Sequence, residues 1–122
     1  MPAELQAALS AAGVAQESVA TLEEALPRAD VVYVTRVQRE RFADAGTYER
    51  LRLAYVVTRD VLKAAKARCV IMHPLPRTGE IAEDVDDDPR AAYFRQMRSG
   101  LHVRMALLAL ALGVTPEQLA KE

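Results

Sequence analysis

Cys69-Val70-Ile71-Met72-His73-Pro74-Leu75-Pro76-Arg77 is the stretch on which the reading of this chain turns. Its first four residues are apolar and read as a short buried strand. Two prolines among the next four residues stop that strand. Each holds φ at about −65° and neither offers a backbone N–H. The turn is left with carbonyls, a histidine and an arginine. In an open α/β sheet, ligands bind outside the carboxyl ends of the strands, so this turn is the first candidate for a site.

A second strand lies upstream. Val31-Val32-Tyr33-Val34 follows Asp30 and is β-branched and aromatic, a composition suited to a pleated surface. Its continuous apolar character predicts a parallel strand covered on both faces. It runs directly into Thr35-Arg36-Val37-Gln38-Arg39-Glu40-Arg41-Phe42. Both strands thus end in polar, arginine-bearing turns, which should lie side by side at one edge of a sheet.

Helical patterns alternate with these strands. Pro2 to Ala12 reads as a helix, with Leu5 and Leu9 four apart and Gly13 just past its end. Glu17 to Ala20 reads as a possible short strand. Thr21-Leu22-Glu23-Glu24 is a capping box that opens a short helix ending near Pro27. Ala43 to Tyr48 reads as a loop hinged at Gly46, with Tyr48 either steadying the chain after Phe42 or simply packing. Leu51, Leu53 and Tyr55 alternate, as in a short extended stretch or a helix end. Thr58 is placed to cap a helix from Arg59 to Ala67, with Val61, Leu62 and Ala65 facing inward. Alternating helices and strands are the mark of an α/β fold.

Beyond the proline turn, Thr78 to Asp88 carries Glu80, Glu83, Asp84, Asp86, Asp87 and Asp88. It lacks the glycine and terminal glutamate of a calcium loop and reads as an exposed, solubilising loop. Pro89 should introduce a helix over Arg90–Met97, loosened at Ser99-Gly100 and resuming over Leu101–Leu112. Tyr93 and Phe94 are expected in the core, and Arg104 in an ion pair. Leu101, Met105, Leu108 and Leu112 form one stripe with Leu107 and Leu110 beside it, and Gly113 ends it. Thr115-Pro116-Glu117-Gln118 is a second capping box. A helix apolar around most of its circumference must be buried on several sides. Three short strands and a few helices offer it little cover. The expected fold is therefore part of a larger α/β unit: a partial doubly wound, Rossmann-like parallel sheet of about three strands, flanking helices and a long apolar C-terminal helix.

Composition narrows the function. Sixteen basic residues against 17 acidic ones leave a net charge of −1, with no basic excess for nucleic acid or an anionic membrane. The single cysteine, Cys69, excludes a disulfide framework, reads as a core residue and fits a reducing, cytoplasmic compartment. The longest apolar run, Met105 to Leu112, is far short of a membrane span. Met1 to Glu4 does not begin a secretory leader.

The motifs together carry a resemblance. Asp30 to Phe42, His73 to Arg77, Glu80-Ile81, Asp84-Val85-Asp86 and Ala91-Ala92-Tyr93-Phe94-Arg95-Gln96, in this order, resemble the C-terminal, aspartate-binding domain of the aspartate carbamoyltransferase catalytic chain. The match runs over residues 1–113, with 114–122 as a short tail. The related ornithine enzymes typically carry HCLP in place of HPLP, so Pro74 favours the aspartate enzyme. The resemblance implies transfer of a carbamoyl group from carbamoyl phosphate to L-aspartate, an early step of pyrimidine synthesis, with no metal or organic cofactor.

The resemblance also assigns roles. Arg36 would grip an aspartate carboxylate and Gln38 would help to position the substrate. The Pro74 and Leu75 carbonyls would accept hydrogen bonds from the carbamoyl nitrogen, with a cis Leu75–Pro76 bond. Glu40 would orient Arg36 or form an ordinary surface pair with it. Arg41 would make a domain-closing contact outside this chain, whereas Arg39 reads as a surface arginine. Arg77 and Glu80 would pair to hold the turn that contains Pro76. His73 reads as a structural histidine rather than a base. The Ser-Thr-Arg-Thr phosphate segment, the catalytic histidine and the second aspartate-binding arginine of the family do not occur in these residues. Nor does the domain's first strand. The carbamoyl-phosphate-binding domain is thus outside the sequence, and the family forms homotrimers. Half a site is expected, inactive alone. The competing reading is a non-catalytic α/β module that binds an acidic metabolite or a partner protein.

Overall fold

The computed structural model describes residues 2–115 and residue 118. Four helices, α1 (Ala3–Ala11), α2 (Leu22–Ala25), α3 (Ala45–Ala54) and α4 (Tyr93–Ala111), accompany two strands, β1 (Val31–Tyr33) and β2 (Val70–Met72). The strands pair in parallel, with Val32 opposite Ile71. On the other edge of β2 the segment 90–92 runs alongside. The Ile71 N–H donates to the Arg90 carbonyl at 2.9 Å, and the Ala92 N–H donates to the Ile71 carbonyl at 2.8 Å. β2 is therefore central, and the third strand is reduced to a single parallel bridge.

The expected strand at 17–20 is exposed coil. An extended segment needs a neighbour for its backbone groups, and no strand runs beside this one. Glu17 instead takes both arms of the Arg28 guanidinium, at 2.7 and 2.9 Å. The Thr21 box forms: the Thr21 hydroxyl accepts from the Glu24 N–H at 3.4 Å. The Glu24 carboxylate reaches back one residue further than the motif predicts, to the Ala20 N–H.

One sheet face is covered and the other is open. Val32, Val34 and Ile71 pack with Leu26, Val57, Leu62, Ile81, Val85 and Tyr93. Val31, Tyr33 and Val70 on the opposite face are exposed. The two-sided burial predicted from the apolar strands holds on one side within these residues. Cys69 is buried.

Several local expectations change. The predicted loop 43–48 opens α3, because the Asp44 carboxylate accepts from the Gly46 and Thr47 N–H groups, an N-cap. Gly46 sits in a helical turn and is not a hinge. The Leu51–Tyr55 alternation falls on the second half of that helix and its end. Tyr48 does lie beside Phe42, ring centroids 6.1 Å apart. The helix predicted over 59–67 contracts to a 3-10 turn, Val61–Ala64, with the Thr58 hydroxyl accepting from the Val61 N–H and Leu62 buried.

The acidic segment 78–88 is not a solubilising loop. Ile81 and Val85 anchor it in the core, and most of its acids are engaged. Asp84 accepts from the Arg59 N–H. Asp88 accepts from the Arg90 N–H at 2.9 Å and from its guanidinium at 2.8 and 2.9 Å. The Arg90 guanidinium also donates to the Leu62 carbonyl at 3.0 Å. The Arg90 hydrogen bonds outweigh burial and hold Asp88 down at about 2, from 3.8. A depressed carboxylate stabilises the fold above its unfolded pKa, and that contribution fades as pH falls through the folded value. The shift is worth about 2 kcal/mol. Asp88→Asn should therefore unfold more easily than the parent by about that much at pH 7, with the gap closing between pH ~4 and ~2. Denaturant titrations at the two ends check it, and a gap that does not change with pH would contradict it.

α4 starts four residues after Pro89, because 90–92 is committed to β2, and it passes unbroken through Ser99-Gly100. An interior glycine costs about 1 kcal/mol, too little to stop a helix this long. Tyr93 is buried, but Phe94 is 50% exposed rather than core, its ring edge-on to Tyr93 at 4.9 Å. Leu101, Met105, Leu108, Leu110 and Leu112 are all exposed. Among the described residues Arg104 forms no ion pair. Its guanidinium lies over Gly100. Gly113 ends the helix at φ +70°. Of the second capping box, Pro116 and Glu117 lie outside the described residues. The Thr115 N–H does donate to the Gln118 side-chain oxygen. No described helix is long and apolar enough to cross a membrane.

Candidate functional site

The parallel pairing brings the carboxyl ends of β1 and β2 together. The segments that leave them face each other across an open cleft of about 820 Å³. Arg36, Gln38 and Arg41 line one side with Thr35, Val37 and Phe42. His73, Pro74, Leu75, Pro76 and Thr78 line the other. Three predicted site residues, Glu40, Arg77 and Glu80, stand outside the lining.

Glu40 reaches back four residues to Arg36, its Oε1 accepting from Nη2 at 3.2 Å. Both side chains are more than half exposed, and such a pair contributes at most about 1 kcal/mol. It engages one of the guanidinium's five N–H donors. Arg39 lies outside the cleft, in a smaller groove with Asp44 and Tyr48.

The proline turn is held from beneath. Leu75–Pro76 is cis, and Leu75 has φ +49°, a left-handed conformation uncommon outside glycine. The Leu75 N–H donates to His73 Nδ1 at 2.8 Å. His73 Nε2 meets Glu80 Oε1 at 2.7 Å. With Nδ1 accepting, the ring proton sits on Nε2 and points to the carboxylate. The second Glu80 oxygen accepts from the Thr78 N–H at 2.9 Å and its hydroxyl at 3.1 Å. Burial pushes the Glu80 carboxyl up, but its own backbone N–H, the Thr78 N–H, the His73 ring and the Thr78 hydroxyl together outweigh it. The net displacement is downward. The His73 N–H donates to Gln96 Oε1 at 2.9 Å, and the Gln96 amide donates to the Tyr33 hydroxyl at 3.1 Å. The turn is thereby tied to α4 and β1.

Arg77 and Glu80 do not pair with each other as expected. Glu80 turns under the chain to His73, while Arg77 reaches forward to both oxygens of Asp86 and lies 5.9 Å over the Tyr93 ring. The Tyr93 hydroxyl donates to the same carboxylate. Arg77 chiefly, then Tyr93, hold Asp86 below the usual carboxylate range. Burial and the neighbouring Asp86 push the Tyr93 phenol up to about 12.

Sequence reasoning missed Gln96, Tyr33, Thr78 and Asp86 as supports. Gln96 sits on a helix otherwise read for its apolar stripe. Asp86 was submerged in a run of acids. Among the described residues no donor reaches the Pro74 or Leu75 carbonyl. The cleft therefore presents a two-point cation, an amide and two open carbonyl acceptors, the complement of a carboxylate beside an N–H-bearing group.

Comparison with known proteins places the chain in a family. The Asp/Orn binding domain model of aspartate/ornithine carbamoyltransferases matches residues 2–111. The multifunctional protein CAD of Squalus acanthias is 49% identical over 93% of this chain, which spans 5% of that protein. The aspartate carbamoyltransferase catalytic subunit of Clostridium perfringens (strain SM101 / Type A) is 50% identical over 80% of the chain, which spans 32% of that subunit. The aspartate transcarbamoylase of Trypanosoma cruzi in complex with carbamoyl phosphate and aspartate superposes with a TM-score of 0.74 at 40% identity. It covers 86% of this chain and 34% of its own. With a parallel α/β framework, an arginine-lined cleft at the strand ends and these matches, the chain belongs to the aspartate/ornithine carbamoyltransferase family and corresponds to its Asp/Orn-binding domain.

Proposed function

We propose that this chain supplies the L-aspartate side of a site that carbamoylates aspartate for pyrimidine synthesis, and that it is inactive alone. One observation carries the reading: Arg36 and Gln38 line a single cleft with Pro74 and Leu75, whose carbonyls meet no donor among the described residues. A guanidinium offers a planar fork to a carboxylate. The Gln38 amide can take a second polar contact. The two carbonyls accept from a carbamoyl NH2, holding its carbon for attack by the aspartate amine. Catalysis is then largely orientation, with electrostatic stabilisation of the tetrahedral intermediate. Glu40 steers Arg36. Pro76, Arg77 and Glu80 keep the turn in shape. Arg41, at the cleft edge, contacts the carbamoyl-phosphate-binding domain. That domain supplies the other wall in a cytoplasmic homotrimer.

Calorimetric titration with L-aspartate tests the reading. Arg36→Ala should weaken binding by about 10- to 100-fold, the worth of a hydrogen bond to a charged group. Arg39→Ala, outside the cleft, should leave it unchanged. Equal affinity for the parent and Arg36→Ala would favour the non-catalytic module, and carbamoyl-aspartate formation by the chain alone would sink the half-site.

A further inference from the structure

We infer that His73 is a positioning residue whose Nδ1 lone pair aims the Pro74 carbonyl into the cleft, with Glu80 fixing the tautomer that leaves this lone pair free. The inference rests on the functional reading above, in which that carbonyl receives the carbamoyl nitrogen. The Leu75 N–H and the Pro74 carbonyl belong to one peptide unit, and this unit is trans. In a planar trans peptide the two groups point in opposite directions. The N–H is drawn onto a ring that is 2% exposed, so the carbonyl must face away from the interior, on the side where Pro74 lines the cleft.

The direction depends on a proton. A neutral imidazole accepts at one nitrogen only. Glu80 Oε1 lies 2.7 Å from Nε2 and requires the proton there. Thr78 donates twice to the other Glu80 oxygen and so holds the carboxylate in place. Moving the proton to Nδ1 would set two donors against each other at Leu75 and release the peptide. Among the described residues Leu75 is also the non-glycine residue with positive φ. Such conformations persist only where the surroundings over-determine them, and this hydrogen bond is one of the constraints.

Two substitutions separate the parts of the ring. His73→Asn places an oxygen close to the position of Nδ1 and can accept from the N–H two residues on, as asparagine does in an Asx turn. His73→Gln can still donate to Glu80 but offers no acceptor at the Nδ1 position. The readout is the preference for N-carbamoyl-L-aspartate over N-acetyl-L-aspartate, which carries a methyl in place of the terminal NH2. The parent chain should prefer the carbamoyl compound by about two- to tenfold, the worth of one neutral hydrogen bond. His73→Asn should keep the preference and His73→Gln should lose it. A His73→Gln chain that binds aspartate and retains the preference overturns the inference alone. A parent chain that binds none of the three ligands overturns the functional reading and the inference with it. Nitrogen-15 NMR of the unaltered chain supplies a measurement that needs no variant. The proton should reside on Nε2, with a scalar coupling across Leu75 N–H···Nδ1. A proton on Nδ1, or no coupling, overturns the inference even if the ligands bind.

Discussion

Replacing Tyr93 with alanine should lower the unfolding free energy by about 4 kcal/mol, as for other large buried aromatics. Tyr93 has no exposed surface, and it is the largest fully buried side chain of the core. It is the first residue of α4 and packs with Ile71 of the central strand and with Ile81 and Val85 of the following segment. Its removal leaves a cavity where the helix joins the sheet. It also exposes the underside of the Arg77 guanidinium, which lies over the ring. Tyr93→Phe keeps the packing and loses one donor to Asp86, which still holds Arg77. It should cost only about 1 kcal/mol. Denaturant unfolding of the two variants checks the ratio. Near-equal losses would assign the stabilisation to the hydroxyl rather than to the ring.

The parts legible in the sequence were those written in local rules. Val31–Val34 and Cys69–Met72 were recognisable as strands because β-branched and apolar residues bounded by charge or proline have few other uses. Their parallel pairing placed Arg36 and Gln38 opposite Pro74 and Leu75, as expected of two strands ending at the same edge. The errors fell where a distant partner decides the structure. Glu17–Ala20 looked extended, but a strand exists only beside another, and no described strand runs beside this segment. Asp44 was a readable cap, yet Gly46 drew attention as a hinge. The acids of 78–88 were taken for solvent-facing, because nothing local shows that Asp86 meets Arg77 or that Glu80 lies beneath His73. The long apolar helix was expected to be buried on several sides, and among these residues its stripe is exposed instead. Its exposed leucines, and the open face of Val31, Tyr33 and Val70, accord with a domain that spans about a third of its single-function relatives.

Glu80→Ala should be nearly as damaging as the loss of Tyr93, by about 3–4 kcal/mol, through a different mechanism. Glu80 is only 4% exposed and accepts from the His73 ring, the Thr78 N–H and the Thr78 hydroxyl. Alanine would leave those donors unpaired, and a stranded buried donor costs roughly 1–3 kcal/mol. A solvated loop acid would cost within about 0.5 kcal/mol, so the outcome separates the two readings of this acidic segment cleanly. Glu80→Gln is the informative companion. Its oxygen can accept from the His73 ring or from Thr78, but its NH2 then faces the other donor, and it should fall between parent and alanine. The damage should also be local before it is global. Without the carboxylate only the Leu75 N–H itself favours the proton on Nε2, so the Leu75 amide should lose part of its protection from hydrogen exchange. The Ile71 amide, bonded within the sheet to the Arg90 carbonyl, should remain protected until the whole domain opens. Equal acceleration at both amides would mean that the turn and the sheet unfold as one unit.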